Sequence, residues 1–343
     1  MTPLSARTAV IFGGTGCIGT HMAQHCLQHN LFEQIYLADL HPPRSDAWAQ
    51  RLHEGLRSGR IVYVPLDVRQ PIPSSPLPTH CDVVFNFAAV HREPGHARQE
   101  YFDTNIPGAK HVCAYASESG AQQLLFTSSI APYGSSDAPK DEDTLPAPDT
   151  PYGESKLAAE EIHSAWQQSD AARSLILLRP GVVFGPGENA NMARLVRSLV
   201  KGYFVYTGNQ STRKAGVYVK ELCHVMQYAL ELQQQQAIPH LLWNVSCDPP
   251  PALEEYVAAI CAVLGRTRKP LSIPRGLLMS VAHTVGAISD RLGIRQPIHP
   301  VRMRKLFRPT HIEPKRLREA GYRYRYTLVE AFADWRAEAP EDY

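Results

Sequence analysis

Tyr152 and Lys156, in the run Tyr-Gly-Glu-Ser-Lys, place a phenol and an ammonium four residues apart. On a helix such residues share one face, so the cation can stabilise a phenolate. A phenolate is a base that can take a proton from an alcohol. A free tyrosine titrates near pH ~10, and a neighbouring positive charge lowers that value toward neutrality. Pro151 is a favourable first helical residue, so the helix is expected to start just before Tyr152. Ser129, in Phe-Thr-Ser-Ser-Ile-Ala-Pro-Tyr-Gly, follows an apolar strand and is expected to stand beside the phenol. Ser129, Tyr152 and Lys156 are the candidate catalytic group.

The elements that must position this group begin at the N-terminus. Thr-Ala-Val-Ile-Phe (8–12) is an apolar strand running into a Gly-x-x-Gly-x-x-Gly turn at Gly13, Gly16 and Gly19. Glycines let the backbone approach a pyrophosphate, and the helix opened by the turn offers unpaired N–H groups. This is a dinucleotide site, with Cys17 and Ile18 inside the turn. Asp39, twenty residues after Gly19, ends the second strand, where a carboxylate meets the ribose hydroxyls and repels a 2′-phosphate. Leu40 follows it and supplies no cation, so NAD is expected over NADP, with Arg44 the one nearby residue that could favour the phosphate. Asp67 and Val68 end the third strand, where the carboxylate could meet the adenine amino group. Phe87, Ala88 and Ala89 end the fourth, where small residues admit a cofactor. His91 follows and is a candidate for touching substrate.

Strand and helix patterns alternate. Strands are expected at Ala9–Phe12, Gln34–Leu40, Arg60–Leu66, Asp82–Phe87, Leu124–Ser128 and Leu175–Arg179, with helices to about Gln28, at Asn105–Ser119 and from Tyr152. This is the rhythm of an α/β, doubly wound parallel-sheet Rossmann domain. Residues 68–80 and 131–151 read as loops. After Arg179 a Gly-Pro-Gly loop leads to a helix of about Met192–Lys201. Gly216–Val219 and Leu241–Val245 are expected to return to the main sheet. From Pro249 the chain reads as mostly helical. The expected division is residues 6–180, with a return segment of about 216–247, as the NAD-binding domain. Residues 181–215 and 248–338 then form a smaller, mostly helical C-terminal lobe that binds substrate.

Composition bounds the alternatives. The chain has 343 residues, 44% of them hydrophobic and 20% charged, with a net charge of +2. It can bury a large core, and the near-neutral balance argues against a nucleic-acid partner. Seven cysteines are scattered without a Cys-x-x-Cys pair, as expected of reduced thiols in a cytoplasm rather than of disulfides or zinc. His21 and His25, expected on an exposed helix face, lack the acid of a His-Glu-x-x-His pattern, so no metal site is read from them. No apolar leader precedes the first strand. The stretch 277–294 carries His283, Ser289, Asp290 and Arg291, which makes it too polar to span a bilayer; it reads as a packing helix.

Together these residues resemble the extended short-chain dehydrogenase/reductase superfamily, in its branch of NAD-dependent epimerases and dehydratases acting on nucleotide sugars. The matching positions include the glycine turn, Asp39, Asp67-Val68, Ala88-Ala89, Asn105, Ser128-Ser129, Tyr133-Gly134 and Tyr152…Lys156. They continue through Arg179-Pro180, Phe184-Gly-Pro-Gly187, Val217-Tyr-Val219 and Asn244-Val245. The resemblance implies tightly held NAD contacted also by Asn105, Pro180 and Val183, and a homodimer built on a four-helix bundle that includes the Tyr152 helix. It further implies a diphosphate clamp drawn from Asn189–Arg194, with Asn191, and from Arg213 and Lys214. Two departures matter. Dehydratases of the family carry Asp-Glu after the catalytic hydroxyl residue, and here Ile130 and Ala131 follow Ser129. Many UDP-sugar epimerases carry asparagine where this chain has Val182. The leading expectation is a nucleotide-sugar epimerase acting at C4, by Tyr-assisted hydride transfer through a keto sugar. The alternatives are a keto-sugar reductase or 3β-hydroxysteroid-dehydrogenase-like oxidoreductase, and a non-catalytic NAD-sensing protein.

Overall fold

The computed structural model describes residues 7–92, 95–206, 209–267, 270–272 and 310–343. Strands β1 (Thr8–Phe12), β2 (Gln34–Asp39), β3 (Ile61–Pro65), β4 (Val83–Asn86) and β5 (Gln123–Thr127) alternate with helices α1 (Cys17–Gln28), α2 (Gln50–Arg57) and α3 (Arg98–Glu118). Strands β7 (Ser174–Pro180) and β10 (His240–Val245) complete a parallel seven-stranded sheet in the order β10-β7-β5-β4-β1-β2-β3. The strand order reverses between β1 and β4, the switch point outside which ligands bind in such sheets.

Both faces of the sheet are covered, and the strands read accordingly as continuous apolar runs. Ala9, Ile11, Ile35, Leu37, Phe85, Leu125 and Ile176 point into one core, with Met22 and Cys26 of α1 and Leu222, Val225 and Met226 of α6 (Val219–Gln236). Val10, Phe12, Ala38, Val84, Leu124, Phe126 and Leu177 point into the other, with Val112 and Ala116 of α3 and Ala159 and Trp166 of α4 (Pro151–Gln168). Full burial of each aliphatic side chain is worth about 1.5–3 kcal/mol, so this alternation fixes the register of every strand. The first core runs on into the C-terminal helices α7 (Leu253–Val263) and α9 (Leu328–Glu338), through Tyr256, Phe332 and Trp335.

Three expectations are corrected. Gly216–Tyr218 (β9) does not join the main sheet; it pairs in parallel with β8 (Val182–Phe184) in a separate two-stranded sheet. A three-residue apolar strand carries no information about which partner it will find. Residues 131–151 are not all loop: a 3₁₀ turn, Ala131–Tyr133, leads to β6 (Ser136–Lys140), which pairs with β11 (Thr310–Ile312). Helix α3 begins at Arg98 rather than Asn105. Its N-terminus is held by the Ala97 N–H donating to Glu100 (2.9 Å), and it runs through Pro107. A mid-helix proline costs about 3 kcal/mol, here offset by close packing of α3 on α4. Helix α5 is Asn191–Val200 and α8 is Lys315–Glu319. The stretch 277–294 lies outside the described residues. Among the described residues no helix is long and apolar enough to cross a membrane.

Candidate active site

Helix α4 starts where its local sequence dictates. Thr150 caps it by accepting the Gly153 N–H (3.1 Å), and Pro151 occupies the first turn. Tyr152, Lys156 and Glu160 then fall one turn apart on one stripe. Tyr152 is half-buried, its ring 6.0 Å from that of Tyr101. Lys156 is 2% exposed. Its ammonium donates to the Thr127 carbonyl at the end of β5 (2.8 Å) and lies 4.2 Å from the centre of the Phe126 ring. Burial pulls this lysine from 10.5 down to about 7, against the opposing pull of Glu160. A lysine poised there can hold or release a proton at neutral pH. Ser129, two residues past Thr127, accepts the Ala131 N–H (3.1 Å), which leaves its own O–H available as a donor. Ser129 thus follows the end of β5, and Lys156, one turn from Tyr152 on α4, is hydrogen-bonded to that same strand end.

Behind them stands a network whose roles the sequence reading did not assign. Glu160 accepts Ser128 Oγ (2.5 Å) and the Arg179 fork (2.9 and 2.6 Å), with both charged partners about 4% exposed. Arg179 lies 4.6 Å over the Tyr133 ring, and the Tyr133 hydroxyl donates to Asn244 (2.9 Å). The backbone N–H of Asn244 donates to Glu142 (2.8 Å). His163 stacks on Phe126 at 4.0 Å, and burial holds it neutral by lowering its pKa to about 3. The sequence did carry one signal: Glu160 continues the four-residue spacing of Tyr152 and Lys156.

The glycine turn fits a dinucleotide. Gly13 has φ +76°, and a Cβ there would sit 2.6 Å from the Ala88 nitrogen; at Gly19 a Cβ would sit 2.3 Å from the Gly13 carbonyl. Gly16 ends the turn with no side-chain cap on α1, so the first N–H groups of the helix remain for an anion. Cys17 and Ile18 are partly buried in the first turn, and burial pushes the Cys17 thiol up to about 12. Asp39 accepts the Thr15 N–H (3.1 Å) and the His41 N–H (3.4 Å), which fixes its carboxylate against the glycine loop. Arg44 is engaged by Asp46 (2.8 Å) and stacks over Trp48 (5.4 Å), while Leu40 is 53% exposed. The local chemistry suits a ribose diol and not a 2′-phosphate. Asp39→Ala is expected to weaken NAD binding and relax the discrimination against NADP, as read by direct titration of both; tighter NADP than NAD binding by the wild type would contradict this.

The remaining candidates are spread around this edge. Phe87, Ala88, Ala89 and Val183 are partly buried, and Val68 and Pro180 are buried. Asp67 is held by Arg69 (2.6 Å), which keeps its carboxyl below the ordinary range. Asn105 commits its amide to Val90 (2.9 and 3.1 Å) and Ser155 (2.9 Å), tying the loop after β4 to α4. His91 is exposed, and Asn191 is exposed at the start of α5. Arg213 donates to the Pro250 carbonyl (2.5 Å), and burial lowers Lys214 to about 8. His21 and His25, expected on an exposed face, are 4% and 8% exposed: the first accommodates the Pro186 carbonyl (2.9 Å) and stacks on Trp48.

A doubly wound parallel sheet, a glycine cradle with an acid at the end of the second strand, and Ser129, Tyr152 and Lys156 on the elements beside the strand ends are the features of an NAD-dependent enzyme of the extended short-chain dehydrogenase/reductase class. The chain belongs to the NAD dependent epimerase/dehydratase family, whose model matches residues 9–245. It is 27% identical to N-acetyl-alpha-D-glucosaminyl-diphospho-ditrans,octacis-undecaprenol 4-epimerase of Escherichia coli O157:H7 over 72% of this chain and 74% of that protein. It is also 25% identical to 3beta-hydroxysteroid-dehydrogenase/decarboxylase isoform 1 of Arabidopsis thaliana, over 84% of this chain and 68% of that protein. Its fold matches the UDP-glucuronic acid 4-epimerase of Bacillus cereus solved with NAD. That match has a TM-score of 0.75 at 16% identity and covers 97% of this chain and 99% of the other.

Proposed function

We propose that the protein is a C4 epimerase of diphosphate-linked sugars, with a nucleotide-diphosphate sugar as its substrate class. The observation that carries the reading is the buried Lys156, one turn from Tyr152 and hydrogen-bonded to the end of β5. Lys156 holds positive charge beside the phenol, so Tyr152 takes the proton of the C4 hydroxyl as that carbon is oxidised and returns it when the keto sugar is reduced on its other face. Ser129 donates a hydrogen bond to the sugar oxygen in both directions. NAD, when bound, supplies the reversible hydride acceptor, held by Gly13, Gly16, Gly19 and Asp39. Because the cofactor is regenerated in each cycle, the reaction needs none added.

Ala131, which opens a 3₁₀ turn directly after Ile130, offers neither acid nor base for eliminating water, and this favours epimerisation over dehydration. The 4-epimerase relatives bear names with sugars on two kinds of diphosphate carrier, nucleoside and polyprenol, and the clamp therefore addresses the diphosphate. In this reading residues 181–215 and 248–338 form the substrate lobe, with Arg213 and Lys214 on the diphosphate. The working form is a cytoplasmic homodimer built on the Tyr152 helix. Arg213→Ala with Lys214→Ala is expected to raise KM for the nucleotide sugar about tenfold, about 1.4 kcal/mol, with NAD affinity unchanged; unaltered kinetics would remove the pair from the site.

The hydroxysteroid-dehydrogenase reading rests on one observation, the longer match to the Arabidopsis relative. Incubation with UDP-, GDP-, CDP- and dTDP-sugars, a polyprenyl-diphosphate sugar and a 3β-hydroxysteroid separates the readings. Epimer formed without cofactor supports the proposal. Net NADH formed with the steroid alone rejects it.

A further inference from the structure

On the sheet face opposite α3 and α4, helices α1 and α6 bring three imidazoles together. His25 lies in the last turn of α1, His29 caps that helix one turn on, and His224 comes from the first half of α6. One ring nitrogen of each lies within 4.8 Å of those of the other two. The rings are 4.3 Å (His25–His29), 4.7 Å (His25–His224) and 5.8 Å (His29–His224) apart. The group opens into a cleft of ≈ 500 Å³ whose wall also carries Lys220, Asp334 and Glu338. We propose that His25, His29 and His224 form a binding site for a zinc-type divalent transition-metal ion, clasping α1 to α6 and leaving a fourth position open to water.

The hydrogen-bond network prepares the donors. Gln227 donates its Nε2 to Glu231 (2.8 Å), which turns its Oε1 toward His25 Nε2 (2.6 Å). His25 must then carry its proton on Nε2, and Nδ1 is left as a lone pair. A carboxylate and an amide behind a ligating imidazole set its tautomer and raise its basicity, as at established zinc sites. Among the described residues, neither His29 nor His224 has a hydrogen-bond partner for its ring nitrogens. Lys220 is neutralised by Asp334 (2.7 Å) and Glu338 (2.6 Å).

Zinc–nitrogen bonds of about 2.0–2.1 Å set tetrahedral ligands about 3.4 Å apart. Small side-chain rotations of exposed His29 and half-buried His224 close the triangle, while His25 stays anchored. Imidazole donors suit zinc, nickel and copper rather than magnesium or calcium.

The test uses full-length protein stripped with a chelator and titrated with ZnCl₂ by calorimetry, with CoCl₂ as a spectroscopic probe. One equivalent is expected to bind with a Kd of about micromolar or tighter, to give tetrahedral Co(II) absorption and to raise Tm. His29→Ala and His224→Ala, at positions that are not fully buried, should each weaken binding at least about tenfold, and Gln227→Ala about tenfold. NAD affinity and turnover should survive in His224→Ala, so failure here would be distinct from failure of the epimerase reading. Absence of saturable binding below about 100 µM zinc, or binding unchanged in His224→Ala, overturns the site.

Discussion

Replacing Tyr152 by phenylalanine is expected to lower turnover by about a thousandfold, within the 10²–10⁴ range typical of a positioned acid–base group, while NAD stays bound. The substitution removes one hydroxyl and keeps the ring that packs 6.0 Å from Tyr101. The Thr150 cap and Pro151 that start α4 are untouched, so Lys156, Ser129 and the glycine cradle keep their places. The loss should therefore fall on kcat, with KM and cofactor affinity little changed. Steady-state kinetics alongside an NAD titration makes the check, and retention of most of the wild-type rate would exclude Tyr152 as the base.

The second large effect is expected at Glu160. Its carboxylate is 4% exposed and neutralises an equally buried Arg179 while accepting the Ser128 hydroxyl. Glu160→Gln leaves a guanidinium buried without its counter-charge, and removing one partner of such a pair costs about 3–5 kcal/mol. Urea unfolding should show that loss, and the paired change Glu160→Leu with Arg179→Met should recover much of it, since an apolar pair leaves no stranded charge. There is a functional consequence as well. Glu160 is the group that holds the Lys156 pKa up against burial, so the alkaline limb of the activity profile, where the ammonium is lost, should move to lower pH in Glu160→Gln. An unchanged limb would detach Glu160 from the lysine.

Lys156 also imposes a pH dependence on stability. The folded chain releases its proton at about 7, whereas the unfolded chain holds it to 10.5. Between those values the unfolded state binds more protons, so this group's contribution to stability rises with pH from about 7 to 10.5. Below pH 7 both states are protonated, and the burial cost is felt in full.

The glycine turn, Asp39 and the Tyr152–Lys156 spacing were legible because each is a local rule: a backbone that must pass close to another, an acid at a strand end, two side chains one helical turn apart. The parallel sheet was legible because both of its faces are buried, which writes continuous apolar runs at β1, β5 and β7. Residues whose partners lie far along the chain left no such mark. Strand β6, Ser-Asp-Ala-Pro-Lys, has no apolar alternation and is defined only by β11, some 170 residues later. The Glu160–Arg179–Ser128 network needs β7 beside β5 before its charges meet. His25 read as exposed because its cover includes Gln227 and His224 of α6, about two hundred residues away in the chain, which only the packing of α6 on α1 brings to it.

Redox-neutral inversion at C4 is tested most directly by incubating wild-type protein with nucleotide sugars deuterated at C4, without added cofactor, and following the products by NMR. The expected product is a C4 epimer that retains its deuterium, because the hydride never exchanges with water, with no net accumulation of NADH. Deuterium washed out to solvent, or a ketone accumulating with stoichiometric NADH, would contradict it.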